Sequence, residues 1–152
     1  EYYEDSLLPL ARLYNLEREL DQALQEKIWL KSGGFLIIQQ TEAFVAIDVN
    51  TGKHSSKKDA EENYKQINRE AALEIARQLR LRNLSGMILV DFINMKNTND
   101  QSELLQYMGS LVRSDPMQTV VVDVTALGIM EITRKKSAKT LAEQLLQLKK
   151  GE

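Results

Sequence analysis

The chain has no cysteine and a single histidine, His54. A disulfide framework, a cysteine-ligated zinc and a histidine-rich metal site are therefore all excluded, because each needs several thiol or imidazole donors. Any metal held by these residues must be bound through oxygen. Long hydrophobic runs are missing too: none approaches the roughly 18 apolar residues of a membrane span. The opening residues, "EYYEDSLLPL", lack the basic start of a signal peptide, so the sequence reads as a soluble, cytoplasmic protein with no membrane segment. Proline is scarce, Pro9 and Pro116 both falling at plausible element boundaries. No Pro/Gly/Ser linker, repeat or low-complexity tract divides the chain.

What remains is enough for one core. With 152 residues and 43% hydrophobic content, the chain suits one domain and is too short for two comfortable ones. The net charge of −2, from 20 basic and 22 acidic residues, says nothing by itself for a polyanionic partner. Its distribution says more. Residues 1–26 hold Glu1, Glu4, Asp5, Glu17, Glu19, Asp21 and Glu26 against Arg12 and Arg18, leaving a basic excess in the remainder. That excess gathers in Lys53, Lys57 and Lys58, in Arg77, Arg80 and Arg82, and in "TRKKSAK", with Arg134, Lys135, Lys136 and Lys139.

Periodicity gives a coarse order of elements. After Pro9, Leu13, Leu16, Leu20 and Leu24 recur at helical spacing. Strands then surround the Ser32-Gly33-Gly34 turn and the Gln40 to Glu42 turn as two linked hairpins. From Asp59 to Leu84 the spacing of Tyr64, Ile67, Ala71, Ile75 and Leu79 predicts a long helix, closed by Gly86. A buried strand over 87–93 follows, then a helix with Asn99 or Asp100 as N-cap, stopped by Pro116. "QTVVVDVT" and "GIMEITR" read as strands and 138–149 as a closing helix. An antiparallel start followed by alternating helices and strands implies an α/β fold with a mixed β-sheet and flanking helices.

Two strand ends carry the same grammar. Phe44 to Ile47 lead into Asp48, and Met87 to Val90 lead into Asp91. In open α/β sheets ligands gather beyond the carboxyl ends of strands, and two carboxylates on neighbouring strands could hold one Mg²⁺, a hard ion that keeps several waters. Asn50, two residues beyond Asp48 and on the same side of an extended chain, could orient it. The plain alternative is that such acids cap the next element or face solvent at the end of a sheet. Asp123 in "VVVDVT" has the same pattern and cannot be separated on pattern alone. Lys53, His54, Lys57 and Lys58 follow the first acid and could hold phosphates, or form a solvated loop. Phe35, Phe92, Trp29 and Tyr107 could stack bases, although aromatics in such elements usually belong to the core.

The segments "LKSGGFLIIQQTEAFVAIDVNTGK", "NREAALEIARQLRLRNLSGMILVDFINM" and "LGIMEITRKK" together resemble the ribonuclease E/G family of bacterial endoribonucleases, in order and over essentially the whole chain. The resemblance implies a DNase I-like catalytic subdomain over residues 27–152, preceded by an N-terminal helical segment, residues 1–26, and cut from a larger enzyme. The family's catalytic Mg²⁺, with Mn²⁺ able to substitute, is held by the aspartate of "IDVN" and the first aspartate of "IDFIDM". These fall on Asp48 and Asp91, with Asn50 as the supporting asparagine. The second aspartate of "IDFIDM" is Asn94 here, a departure that removes a charge, and Asp123 falls where the family varies. Implied with the family are single-stranded RNA as substrate in RNA processing and decay, products with 5′-phosphate and 3′-hydroxyl ends, and a homo-oligomeric parent. The family's zinc-sharing cysteines are absent from this chain. Lys53, Lys57, Arg134 and Lys135 are the expected phosphate contacts. Without the family's upstream RNA-clamping regions, the chain alone is expected to be inactive or very weak. The alternative is a non-catalytic RNA-binding or assembly module of the same fold.

Overall fold

The structure, a computed structural model, describes residues 15–52 and 60–150. Lys53, His54, Lys57 and Lys58, and the start of the first helix around Leu13, lie outside the described residues. Helix α1, Leu16–Ala23, begins at Asn15, whose φ of 50° is left-handed. Strand β1, Lys27–Trp29, then opens the antiparallel pair of hairpins with β2, Phe35–Gln40, and β3, Val45–Asn50. Helix α2, Ala60–Leu81, crosses to β4, Gly86–Asp91, which pairs with β3 in parallel. Such a crossover is what parallel neighbours require, because a tight turn can join only antiparallel strands. Helix α3, Thr98–Val112, strands β5, Thr119–Val124, and β6, Ile129–Arg134, and helix α4, Leu141–Lys150, complete the chain. The result is one six-stranded mixed sheet in the order β1-β2-β3-β4-β6-β5, the mixed α/β architecture expected from the pattern.

The register makes one face of the sheet apolar and buried. Leu36 lies opposite Val49, Ile38 opposite Ile47, Ile47 opposite Val90, and Val90 opposite Met130. All belong to one core with Ile67, Ala71, Ala72, Ile75, Ala76 and Leu79 of α2 and Met108 and Val112 of α3. Ala71, Ala72 and Ala76 of α2 allow close approach to the sheet, and the i, i+4 spacing of Ile67, Ala71, Ile75 and Leu79 supplies its apolar stripe. Burying a branched aliphatic side chain of this kind stabilises by about 1.5–3 kcal/mol. Lys65, paired with Asp100 at 2.7 Å, and Arg69, 4.1 Å from the centre of the Tyr107 ring, tie α3 to α2.

Because side chains alternate along a strand, the opposite face collects Lys27, Trp29, Ile37, Asp48, Met87, Asp91 and Thr133, all exposed or half-exposed. Helix ends differ from the sequence expectation in two places. Asn97, not Asn99 or Asp100, caps α3, its side chain accepting the Asn99 N–H at 2.9 Å. Asn83, at φ 49°, rather than Gly86, closes α2, and the Leu84 N–H returns to the Leu79 carbonyl at 3.0 Å. A left-handed asparagine satisfies the last turn's carbonyls as glycine would, and Gly86 is left free to open β4.

Candidate metal centre

Asp48 and Asp91 are register partners across the parallel β3–β4 pair. Direct partners share a face, and adjacent strands lie about 4.8 Å apart, so both carboxylates leave the exposed face side by side at the carboxyl ends of their strands. Both residues are exposed. Asn50 donates from Nδ2 to Asp48 Oδ2 at 2.8 Å, which fixes one oxygen of that carboxylate. Their other neighbours on this face are apolar: Ile37 stands opposite Asp48 and Ile129 opposite Asp91. Among the described residues neither acid takes part in a salt bridge.

This donor set fits a hard divalent cation. Among the described residues no group of three or more His, Cys, Asp or Glu converges, so the protein offers two carboxylates and leaves further positions to water and phosphate. That is the way Mg²⁺ prefers to be held. Asp123 also projects from a strand, but on β5 it pairs with Glu131 and its carboxylate accepts the Val124 N–H at 2.8 Å, with β4 and β6 between its strand and that of Asp48. Pattern could not separate it from the other acids; sheet order does. Asn94, exposed, lies three residues past Asp91, beyond the strand.

The backbone around the pair is held by residues the sequence did not mark. Asn68 is fully buried, 0% exposed, within the apolar stripe of α2. Its Nδ2 donates to the Ile93 carbonyl at 2.8 Å and its Oδ1 accepts the Ile93 N–H at 2.9 Å. Both backbone groups two residues beyond Asp91 are thus fastened to the core helix. A polar residue inside an otherwise apolar helical stripe was the available signal, since a buried amide must find partners. On the β3 side, Gly52 has φ 72°, and a Cβ there would collide with the Gly33 carbonyl oxygen. The Ser32 N–H in the same turn donates to Glu70 Oε2 at 2.9 Å. Burial alone would raise the Glu70 carboxyl, but hydrogen bonds from Ser32 and Gln66 hold it below the ordinary glutamate value. The chain leaving Asn50 is therefore seated against a turn anchored to α2.

Arg134 is a correction. Its guanidinium, expected at phosphate, is buried, with Nε donating to Asp115 Oδ2 at 2.7 Å and Nη2 to Asp115 Oδ1 at 3.2 Å. Nη1 donates to Asn83 Oδ1 at 2.9 Å and to the Leu84 carbonyl at 3.1 Å. The ion pair is shielded, the two side chains being 3% and 2% exposed. Arg134 also lies opposite Gly86 at the start of β4, whereas Ile129 lies opposite Asp91, about 17 Å along the strand at the usual rise. Basic residues in a run were read together, but alternation sends one inward. Lys135 is exposed at that same distant end of the sheet.

Residues 1–137 match the Ribonuclease E/G family. Ribonuclease G of Escherichia coli is 40% identical over 137 residues, covering 90% of this chain and 28% of the relative. Ribonuclease E of Nostoc sp. is 39% identical over 135 residues, covering 89% of this chain and 20% of the relative. Ribonuclease G of Haemophilus influenzae is 40% identical over 137 residues, with the same coverage as the Escherichia coli protein. The chain belongs to the Ribonuclease E/G family and spans between a fifth and about three-tenths of the length of these relatives.

Proposed function

We propose that the chain carries the catalytic centre of an endoribonuclease that cuts single-stranded RNA in RNA processing and decay, leaving 5′-phosphate and 3′-hydroxyl ends. The observation that carries this reading is the register of Asp48 against Asp91 in adjacent parallel strands, with Asn50 bonded to Asp48. Membership of a family whose relatives are named ribonucleases supports RNA as the substrate.

In this reading Asp48 and Asp91 hold Mg²⁺, with Mn²⁺ as a substitute. When bound, the cation supplies Lewis-acid stabilisation of a phosphoryl oxygen and a water made more acidic. The protein's own part is positional. Asn50 keeps the Asp48 carboxylate in one rotamer, so it is not reorganised as charge develops. Ile37 and Ile129, the flanking partners on the same face, offer no competing donor or acceptor side chain. Lys53 and Lys57, following directly after Gly52, are the proposed contacts to flanking phosphates. Lys135 would reach only a strand running the length of the sheet face.

The test is cleavage of a labelled single-stranded RNA with Mg²⁺, by this chain and by a longer protein containing it. The longer protein is expected to cleave, Asp48→Asn or Asp91→Asn in it to be inactive, and the chain alone to be very weak, because catalysis of this kind depends on holding the phosphodiester in line. Undiminished cleavage by Asp48→Asn would make the unit a binding or assembly module instead. A second readout is calorimetric: saturable Mn²⁺ binding to the chain, lost in the double variant.

A further inference from the structure

A cavity of about 410 Å³ opens directly beside Asp91. We propose that it receives one nucleobase of the RNA strand whose phosphate faces Asp48 and Asp91, and so selects where that strand is cut; this rests on the ribonuclease reading of the acid pair.

Position comes first. Asp91 itself is among the residues lining the cavity, which therefore lies at the same end of β4 as the acid pair. Size agrees, since the volume falls in the range of pockets that enclose a small organic ligand and exceeds what a single base needs.

The lining then chooses among chemical classes. Phe92, Met95, Leu104 and Met130 give the cavity apolar surface alongside its polar groups, and no Lys, Arg or His lines it among the described residues. With an acid at the rim and no cation, the cavity disfavours a phosphate and suits a flat neutral group. Asn94, Thr125 and Gln101 add polar side chains to the lining. Gln101 gives one Nε2 hydrogen to the Met95 carbonyl at 2.6 Å, which leaves its second N–H and its Oε1 acceptor. Apolar walls with a few edge donors and acceptors are how proteins read an unstacked base in single-stranded RNA.

The walls are also held open without a ligand. One is the segment after Asp91, fixed at Ile93 by both ends of the buried Asn68 amide and at Met95 by Gln101. The other is the β5–β6 turn. There the Thr125 N–H donates to the Ile129 carbonyl at 2.9 Å, the Gly128 N–H to the Thr125 carbonyl at 2.9 Å, and Gly128 takes φ 86°. At its tip Leu127 is 89% exposed, an apolar side chain at the edge of the cavity that the fold does not use. Against a bound base or its ribose it would be covered.

The experiment follows the methyl resonances of Met95 and Met130, both nearly buried and both in the lining. The 152-residue chain with Mg²⁺ is titrated with short oligouridylate and oligoadenylate strands, and with strands carrying one abasic position moved along the sequence. Expected are saturable shifts of both methyls, with affinity falling about tenfold when the base at one particular position is removed, the scale of one lost stacking contact. Ala126→Trp, at an exposed turn position, should fill the cavity and weaken binding by a similar factor with an unchanged melting temperature. Leu127→Ala should weaken it less. Equal shifts with every abasic strand, or no shift of either methyl at millimolar strand, would overturn the proposal. Cleavage is not read, so the two proposals fail separately. Base-dependent shifts alongside an active Asp48→Asn protein would keep the cavity and sink the catalytic reading, and the reverse pair of results would do the opposite.

Discussion

The antiparallel β4–β6 pair has a charged residue at each end, Arg134 at one and Asp91 at the other, and the two ends treat charge in opposite ways. At the start of β4, Arg134 and Asp115 are buried against each other, with Asn83, Leu84, Met117 and Thr119 completing their hydrogen bonds. At the far end, Asp91 stands exposed beside Asp48, and the described contact is the amide of Asn50 on Asp48. The first cluster is closed: every charge has its partner inside the fold, so nothing is left to offer a ligand. The second is open, with two like charges side by side that no salt bridge among the described residues neutralises. A buried pair of this kind is worth little net but costly to break, whereas an uncompensated exposed pair gains most from an external cation. The difference separates carboxylates that the fold itself uses from carboxylates that it leaves accessible better than their sequence context does.

The strongest way to break the comparison is at the open end. Asp48→Asn or Asp91→Asn in a longer cleaving protein should lower kcat/KM by about a thousandfold or more, the several kcal/mol that metal-assisted charge stabilisation supplies. Thermal stability should hold or rise slightly, since two like charges are reduced to one. A large fall in melting temperature with modest loss of rate would reverse the assignment of the two ends.

At the closed end the effects should exchange. Arg134→Ala leaves Asp115 buried and unpaired, and should cost about 3–5 kcal/mol of stability by urea denaturation, with activity per folded molecule retained. Loss of RNA binding in a still-folded Arg134→Ala protein would restore this arginine to the interface.

Smaller effects sharpen the contrast. Asn50→Ala should reduce metal affinity or activity by about 10–100-fold, as outer-sphere hydrogen bonds do, with the loss partly recovered at high Mg²⁺. Replacing Lys53 or Lys57 should reduce the salt slope of RNA binding by about one phosphate contact, while replacing Lys135 should change it less.

The last prediction concerns pH. Burial would raise the Asp115 carboxyl, but Arg134, the Met117 N–H and the Thr119 hydroxyl outweigh it and hold it below its ordinary value of 3.8. A carboxyl whose folded value is depressed binds its proton more readily when unfolded, so its stabilisation is complete above the ordinary value and is lost as pH falls through the folded one. Urea midpoints measured downward from pH 5 should fall steeply for the native chain and less steeply for Asp115→Asn. Parallel curves would show that the closed cluster does not govern acid stability.

Element types were readable because local chemistry decides them. Alternation marked the strands, and Ile67, Ala71, Ile75 and Leu79 marked α2 by spacing alone. Boundaries were less readable where several residues of the same kind compete. Asn97, Asn99 and Asp100 can all cap a helix, and which one does depends on where the preceding loop leaves the chain. The same ambiguity applied to Asn83 and Gly86, both able to take a left-handed conformation.

What the sequence determined by itself was the supply of chemistry: oxygen donors without thiols, three strand-terminal acids, an asparagine two residues from the first, and a family pattern joining Asp48, Asn50 and Asp91. What only the tertiary structure decided was which of these meet. Strand order put β4 beside β3 and β5 three places away, so Asp91 became the partner of Asp48 and Asp123 did not. Side-chain alternation turned Arg134 inward to Asp115 and left Lys135 exposed, although the two are consecutive in the chain. The physical reason is that residue type and spacing act over one turn or one pleat, whereas pairing and burial are set by contacts between segments far apart in sequence. Asn68 shows the limit most plainly, since its worth lies in both hydrogen bonds to Ile93, 25 residues away, and no local rule links the two.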